Sequence, residues 1–447
     1  MEKYKESFFN IEIKKDVDGR TLVYNTNSTA LSWFTEDVYK SFKDKTSICK
    51  DEILQDLIKH GFVVNSNIDE ISLIEFQRQQ YLYNRFPSEL RYVIAPTMKC
   101  NMKCEYCFEN NILEKNTMSL SDAKIVVTFI LEQLKQNINV KKIYIFWFGG
   151  EPCLEMDIIK YISQELIMNC EQKGIKYNST MVTNGFYLNR ENALFLKEIC
   201  HIRYVQITLD GMAKSYANAK GIQEKVFYEV TQNIVNICDV FGVNVRINIT
   251  KSNKEEILDL CEYLLKRLKL KGKIEIYFAH VRGYGTNNRD NLLTNLEFQK
   301  LRHKLEIELI DRGYIDSIQH SLKERAIVSC ASMQMMSAAI GPDLRLYRCE
   351  HCFGIPEYSI GTCIEGFYRN KIDNDFLCYH IPQKCKKCKY FPACATGCRE
   401  DQVIQKRTVE CKAIKNRLVN NIETYVVYKE KVKNKEITKN DIFSADD

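Results

Sequence analysis

The stretch KCNMKCEYCFEN, residues 99–110, sets Cys100, Cys104 and Cys107 within eight positions, with gaps of three and then two residues. Three thiolates in one short loop can wrap a corner of a compact metal centre. Zinc fingers set a second ligand pair about a dozen residues beyond the first, and no such pair follows here. Iron–sulfur clusters are held by Cys thiolates at close spacings. Three ligands on a four-iron cubane leave one iron open, so the missing fourth ligand reads as a place for substrate.

The whole chain narrows the choice. At 447 residues it is long enough for two or three domains, and 45% hydrophobic residues can fill a sizeable core. Its 64 basic against 58 acidic residues leave a net charge of +6, little for a nucleic-acid binder of this length. MEKYKESFFN has no apolar run to act as a signal peptide, and IYIFWF is too short to span a bilayer, so a cytoplasmic protein without membrane partners is expected. Nineteen cysteines in such a chain argue for metal or redox chemistry over disulfides. Three lie at 100–107 and ten between Cys330 and Cys411. Cys49, Cys153, Cys170, Cys200, Cys238 and Cys261 are scattered singly and read as small buried hydrophobes.

Three regions emerge. In residues 1–88, FFNIEIKK, TLVYNT and ALSWF read as strands, the first two joined by a DVDG turn. EDVYKSFK, KDEILQDLIKHG and IDEISLIEFQRQQYLYNR read as helices. In residues 89–320, LRYVIAP, KKIYIFWF, STMVT, YVQITL, NVRINIT and KIEIYFA are strands separated by helical patterns. Apolar strands alternating with helices predict a parallel sheet, and six such units an open or closed β/α barrel with its chemistry at the strand C-termini. Residues 321–428 are rich in Cys and Lys with little periodicity and need metal clusters as staples. Residues 429–447 read as a polar, frayed tail.

C-x3-C-x2-C with Tyr106 before its last Cys resembles the signature of the radical S-adenosylmethionine (SAM) superfamily. The resemblance implies a [4Fe–4S] cluster on Cys100, Cys104 and Cys107. Its open iron chelates SAM and its electron releases a deoxyadenosyl radical that abstracts hydrogen. FGGEP (148–152) ends the second barrel strand. Gly149 and Gly150 allow close backbone approach to a ligand, and Glu151, before Pro152, can accept from an ammonium group. This turn is similar to the family's motif for the SAM amino group. TNG, with Thr183 and Asn184, ends the third strand and is otherwise a plain turn. Thr208 and Asp210 in ITLDG share a face, which by resemblance contacts the SAM ribose region. Arg246, inside the fifth strand, would be costly to bury unpaired. A fork to the SAM carboxylate would satisfy it; a solvated edge strand is the alternative.

Cys385, Cys388, Cys394 and Cys398 form C-x2-C-x5-C-x3-C, followed by Cys411, with Cys330 and Cys349 upstream. These seven resemble the SPASM domain with its two auxiliary [4Fe–4S] clusters, three clusters in all. The resemblance puts Cys330, Cys349 and Cys398 on the first and Cys385, Cys388, Cys394 and Cys411 on the second. A zinc ribbon over 385–398 is the alternative. Two departures stand out. Leu344 occupies a place where the family has Gly, and the first auxiliary cluster has three assigned thiolates, with Cys352, Cys363 or an open iron left for the fourth position. Lys384, Lys386, Lys387 and Lys389 either offset cluster charge or form a solvated face. Glu350 stands where related sulfatase maturases carry an Asp general base; an exposed Glu is the alternative.

The expected fold class is therefore α/β: a partial (β/α)6 TIM-like barrel with an N-terminal winged-helix-like module and a Cys-rich C-terminal SPASM domain. The N-terminal pattern resembles the leader-binding module of ribosomal peptide maturases, which adds the leader as a strand to a sheet edge. The resemblance implies a precursor peptide bound through its leader, an electron donor such as flavodoxin or ferredoxin, and a thioether or carbon–carbon crosslink as product. A sulfatase-type maturase making formylglycine and a non-catalytic peptide-binding scaffold are the alternatives.

Overall fold

A computed structural model describes residues 4–43, 51–84, 86–112, 116–283, 288–314, 325–326, 328–378, 380–433 and 442–443. Cys49 lies outside them. Near the N-terminus, β1 (Tyr4–Glu6) pairs with β5 (Val63–Asn65), and β2 (Asn10–Lys15), β3 (Thr21–Asn25) and β4 (Leu31–Phe34) form an antiparallel meander. The DVDG turn works through Asp16, whose Oδ1 accepts from the N–H groups of Asp18 (3.0 Å) and Arg20 (2.8 Å). Helices α1 (Glu36–Lys43), α2 (Asp51–Lys59) and α3 (Glu70–Leu82) follow. Asp69 caps α3 by accepting from Ile71 and Ser72.

Because β-strand side chains alternate, the meander has two buried faces. Val23 and Phe34 pack with Leu57, Phe62 and Val63 of this module. Ile11, Leu22, Tyr24, Leu31 and Trp33 pack on Leu418, Ile422, Tyr425 and Val426 of a closing helix, Cys411–Lys433. This helix corrects two expectations. The Cys-rich region does carry a long helix, and the segment from residue 429 continues it through Lys433 instead of fraying there. Further on, Ile442–Phe443 pair antiparallel with β4, Ile442 against Ser32 and Phe443 against Leu31.

The central sheet holds six parallel strands in sequence order: β6 (Glu89–Ile94), β7 (Lys142–Trp147), β8 (Lys176–Thr183), β9 (Ile202–Thr208), β10 (Gly242–Ile249) and β11 (Ile274–His280). Each expected strand is present. Alternate residues such as Ile143, Ile145, Trp147, Val205, Ile207, Val243, Val245 and Ile247 are fully buried under the helices. Residues between them, including Tyr144, Thr180, Gln206, Thr208 and Arg246, line the opposite face and are partly exposed. α4 (Leu120–Gln136) begins with a capping box between Ser119 and Asp122, as SLSD suggests. The sheet is open: β12 (Ala338–Ile340) pairs parallel with β6 and carries it into an antiparallel hairpin with β13 (Arg345–Tyr347). The C-terminal region is thus built onto the barrel edge. No helix among the described residues is long and apolar enough to cross a membrane.

Leu344 closes the β12–β13 turn with φ of +63°, its N–H on the Gly341 carbonyl at 3.0 Å. The turn keeps the left-handed geometry that favours Gly although the side chain is Leu. Leu344→Gly should therefore leave the thermal midpoint nearly unchanged, since relief of about 1 kcal/mol of backbone strain offsets lost packing. Leu344→Val should lower stability by about 1–2 kcal/mol, because a β-branched residue fits positive φ worst. Thermal melts of both variants check this; a large loss for Gly would refute it. Of the scattered cysteines, Cys153, Cys170, Cys200 and Cys261 are buried and Cys238 is partly buried.

Candidate functional site

The cluster loop leaves β6 at the C-terminal edge of the sheet, and backbone bonds hold its shape. Lys103 N–H donates to the Lys220 carbonyl (2.8 Å), Glu105 N–H to the Ala219 carbonyl (3.1 Å), and Cys107 N–H to the Cys104 carbonyl (3.2 Å). The three thiols are brought together. Burial pushes Cys100 up to about 11, and burial first, then Glu109 and the neighbouring thiols of Cys104 and Cys100, push Cys107 up to about 12. Such groups stay protonated at neutral pH until a metal displaces the proton. Among the described residues no three Cys, His, Asp or Glu side chains form a clasp for a single ion. A cubane takes each thiolate on a different iron, so this loop suits a cluster by its chemistry.

Gly149 and Gly150 bring their turn against that loop. Gly150 N–H donates to the Thr97 carbonyl (3.0 Å) and Glu151 N–H to the Lys99 carbonyl (2.9 Å). A Cβ on Gly149 would lie 2.3 Å from the Thr97 carbonyl oxygen, and one on Gly150 2.2 Å from that of Lys99. The two glycines are thus required by the cluster loop, a closer neighbour than the ligand expected from the sequence. Pro152 opens the short turn that follows.

Glu151 is completely buried. Its Oε1 accepts from Thr183 Oγ1 (2.7 Å) and Cys153 N–H (3.0 Å), and its Oε2 from Asn184 N–H (2.8 Å). The carboxylate so ties the end of β7 to the end of β8. Burial raises its pKa against these hydrogen bonds, and a cationic partner such as an ammonium would ease that cost. Asn184 Nδ2 donates to Asn101 Oδ1 in the cluster loop (2.7 Å).

At the end of β9 the structure supplies a group that sequence reading missed. Tyr106 donates to Asp210 Oδ2 (2.5 Å), and Lys220 Nζ lies 2.9 Å from that oxygen and 2.7 Å from the Tyr106 hydroxyl. Burial works against the Lys220 ammonium, but Asp210 and Cys104 outweigh it and hold the group charged. Lys220 ends α7 (Ala213–Lys220) just before Gly221, where a Lys reads as an exposed cap. No local pattern couples it to Asp210. The other carboxylate oxygen, Asp210 Oδ1, is buried with no hydrogen-bond partner among the described residues. An orphan acceptor of this kind fits a ligand hydroxyl.

Thr208 and Arg246 are register partners on adjacent strands, and Arg246 Nε donates to Asn248 Oδ1 (2.9 Å). They line the sheet face beside the Asp210 group without joining its hydrogen bonds. Glu350 sits on the C-terminal extension, its Oε2 3.6 Å from Cys349 Sγ. Its neighbour His351 packs on Phe108 of the cluster loop, ring centroids 4.5 Å apart. In the same region burial, then the neighbouring Cys394, Cys388 and Cys411, raise the Cys385 thiol.

Residues 94–267 match the model of the Radical SAM superfamily, so this part of the chain is a radical SAM domain. That class implies a SAM-binding [4Fe–4S] cluster, which Cys100, Cys104 and Cys107 suit. Among relatives, the GTP 3',8-cyclase of Clostridium perfringens (strain SM101 / Type A) is 27% identical over 239 residues, 51% of this chain and 67% of that one. The cysteine-type anaerobic sulfatase-maturating enzyme of Clostridium novyi (strain NT) is 24% identical over 346 residues, 70% of this chain and 88% of that one. Among solved structures, Streptococcus suis SuiB bound to precursor peptide SuiA has a TM-score of 0.51 at 17% identity, covering 88% of this chain and 95% of that one. This last likeness is one of fold.

Proposed function

We propose that the chain is a radical SAM maturase that crosslinks a ribosomally made precursor peptide, bound through its leader. The observation that carries the peptide reading is the edge of β4. This edge already accepts an extended segment, Ile442–Phe443, as an added strand, the mode in which sheets take up peptides. A cleft of about 600 Å³ opens at the β2–β3 turn of the same sheet, where Trp33 of β4 lies under Lys14 and Arg20.

Cys100, Cys104 and Cys107 would hold the SAM-binding cluster. Glu151 would face the SAM ammonium, Asp210 Oδ1 its ribose and Arg246 its carboxylate. When bound, cluster and SAM would supply the radical chemistry that removes one hydrogen atom from the peptide, and auxiliary clusters on the C-terminal cysteines would supply the one-electron oxidation that accompanies loss of a second hydrogen as a proton. Glu350 is the residue we assign to receive that proton. Lys220 keeps Tyr106 and Asp210 in place beneath the loop, and the buried Glu151 bridge keeps β7 and β8 in register with it. A flavodoxin or ferredoxin is the expected reductant.

Two measurements test this reading. Iron-loaded, reduced protein should cleave SAM and remove about two hydrogens from the precursor's mass; a product that has lost sulfur and gained an aldehyde would favour the sulfatase-type alternative, to which the Clostridium novyi relative points. In a chain ending at Lys433 the β4 edge is bare. Because Asn25 N–H meets the Ala30 carbonyl, antiparallel alternation turns the amides of Leu31 and Trp33 outward. Added leader should slow hydrogen exchange at those two amides, and unchanged exchange would exclude leader binding at this edge.

A further inference from the structure

Two of the C-x2-C pairs assigned to clusters share one backbone device. Cys107 N–H donates to the Cys104 carbonyl at 3.2 Å, and Cys388 N–H to the Cys385 carbonyl at 3.1 Å. A turn closed this way keeps its first and fourth residues within about 7 Å at Cα. The same device occurs a third time: Cys352 N–H donates to the Cys349 carbonyl at 3.0 Å, across the turn Glu350–Cys352.

The surroundings of this third turn match a ligand set. Cys349 and Cys352 pack in one cluster with Ala95, Met98 and Phe353 at the foot of the cluster loop. His351, between them, has Nδ1 3.7 Å from Glu400 Oε2, and Cys398 stands directly before the helix that carries Glu400. The loop after Cys330 is clamped to the strand before Cys349 by Arg348, which donates to the carbonyls of Gln334 and Ser337 and pairs with the buried Asp373. Cys349 lies close enough to Cys330 and Cys352, and Cys352 to Cys398, for their side chains to interact electrostatically. Cys363 is placed otherwise. Its N–H binds the Leu344 carbonyl at 2.8 Å, its side chain packs in the barrel core, and Asp343 is the charge that acts on it.

We propose that Cys352 is the fourth thiolate of the first auxiliary cluster, closing it with Cys330, Cys349 and Cys398. The assignment rests on the reading of the C-terminal region as a two-cluster domain. The test uses the full chain with Cys100, Cys104 and Cys107 changed to Ala, so that only auxiliary clusters remain. That chain should hold about eight iron atoms, and iron near zero would overturn the two-cluster reading itself. With iron present, Cys352→Ser should shift the electron paramagnetic resonance of one reduced cluster or lose about four irons, while Cys363→Ser matches the parent. A Cys352→Ser spectrum superposing on the parent, or a shift in Cys363→Ser alone, would overturn the assignment. A second measurement needs no change at Cys352: added cyanide should leave the parent's auxiliary signals unmoved, because every iron is closed. A cyanide-induced shift would show an open iron and refute the fourth thiolate.

Discussion

Gly150→Ala is expected to strip the SAM-binding cluster from the chain. The new methyl would sit 2.2 Å from the Lys99 oxygen, 2.6 Å from its carbonyl carbon and 2.8 Å from that of Met98. All three are backbone atoms, so no side chain can swing aside, and either the glycine turn or the cluster loop must move. Movement breaks the bonds from Gly150 N–H to Thr97 and from Glu151 N–H to Lys99, and it drags Glu151 out of its bridge to Thr183 and Asn184. The expected result is a loss of about four irons and about 3 kcal/mol of stability, at the upper end for overpacking. Iron analysis and denaturant unfolding read both. A variant with full iron and an unchanged midpoint would show that the glycines serve the ligand and not the loop.

Lys220→Met should cost about 3–5 kcal/mol, the range for removing one partner of a buried ion pair. The side chains of Lys220 and Asp210 are 4% and 2% exposed, so water cannot replace the lost ammonium. Asp210 would stay buried with Tyr106 as its donor, and Cys104 would lose its nearest cation. The double variant Asp210→Asn with Lys220→Met should recover a large part of the loss, because it removes the uncompensated charge as well. Urea denaturation of the three chains separates these outcomes; equal losses in single and double variants would mean that the pair contributes only packing. The folded-state pKa of Lys220 is raised, so its contribution is complete below the unfolded value of about 10.4. It fades only as pH climbs through the higher folded value, leaving no dependence near neutrality.

The barrel was legible because its strands are runs of Ile, Val, Phe and Tyr between helical patterns, and its motifs fall at strand ends. The ligand loop was legible from spacing alone. What the sequence hid was pairing at a distance. Lys220 finds Asp210 ten positions away through the turn at Gly211, and His351 meets Phe108 across two regions. β12 and β13 are three residues each, too short to show alternation, so the continuation of the sheet past β6 gave no signal. The closing helix was masked by its composition. Its stripe of Ala413, Leu418, Ile422, Tyr425 and Val426 is narrow and set among Lys and Asn.

That helix starts at Cys411, assigned to the second auxiliary cluster. It runs under the N-terminal meander and bonds to α10 (Asn295–Asp311) through Asn420 on the Gln299 carbonyl (3.0 Å) and Thr424 on His303 (3.1 Å). One helix therefore spans the proposed second auxiliary site, the wall of the barrel and the sheet proposed to receive the leader. Cutting away residues 1–88 would leave the helix's greasy flank in water, so such a truncation would damage the catalytic body along with the docking platform.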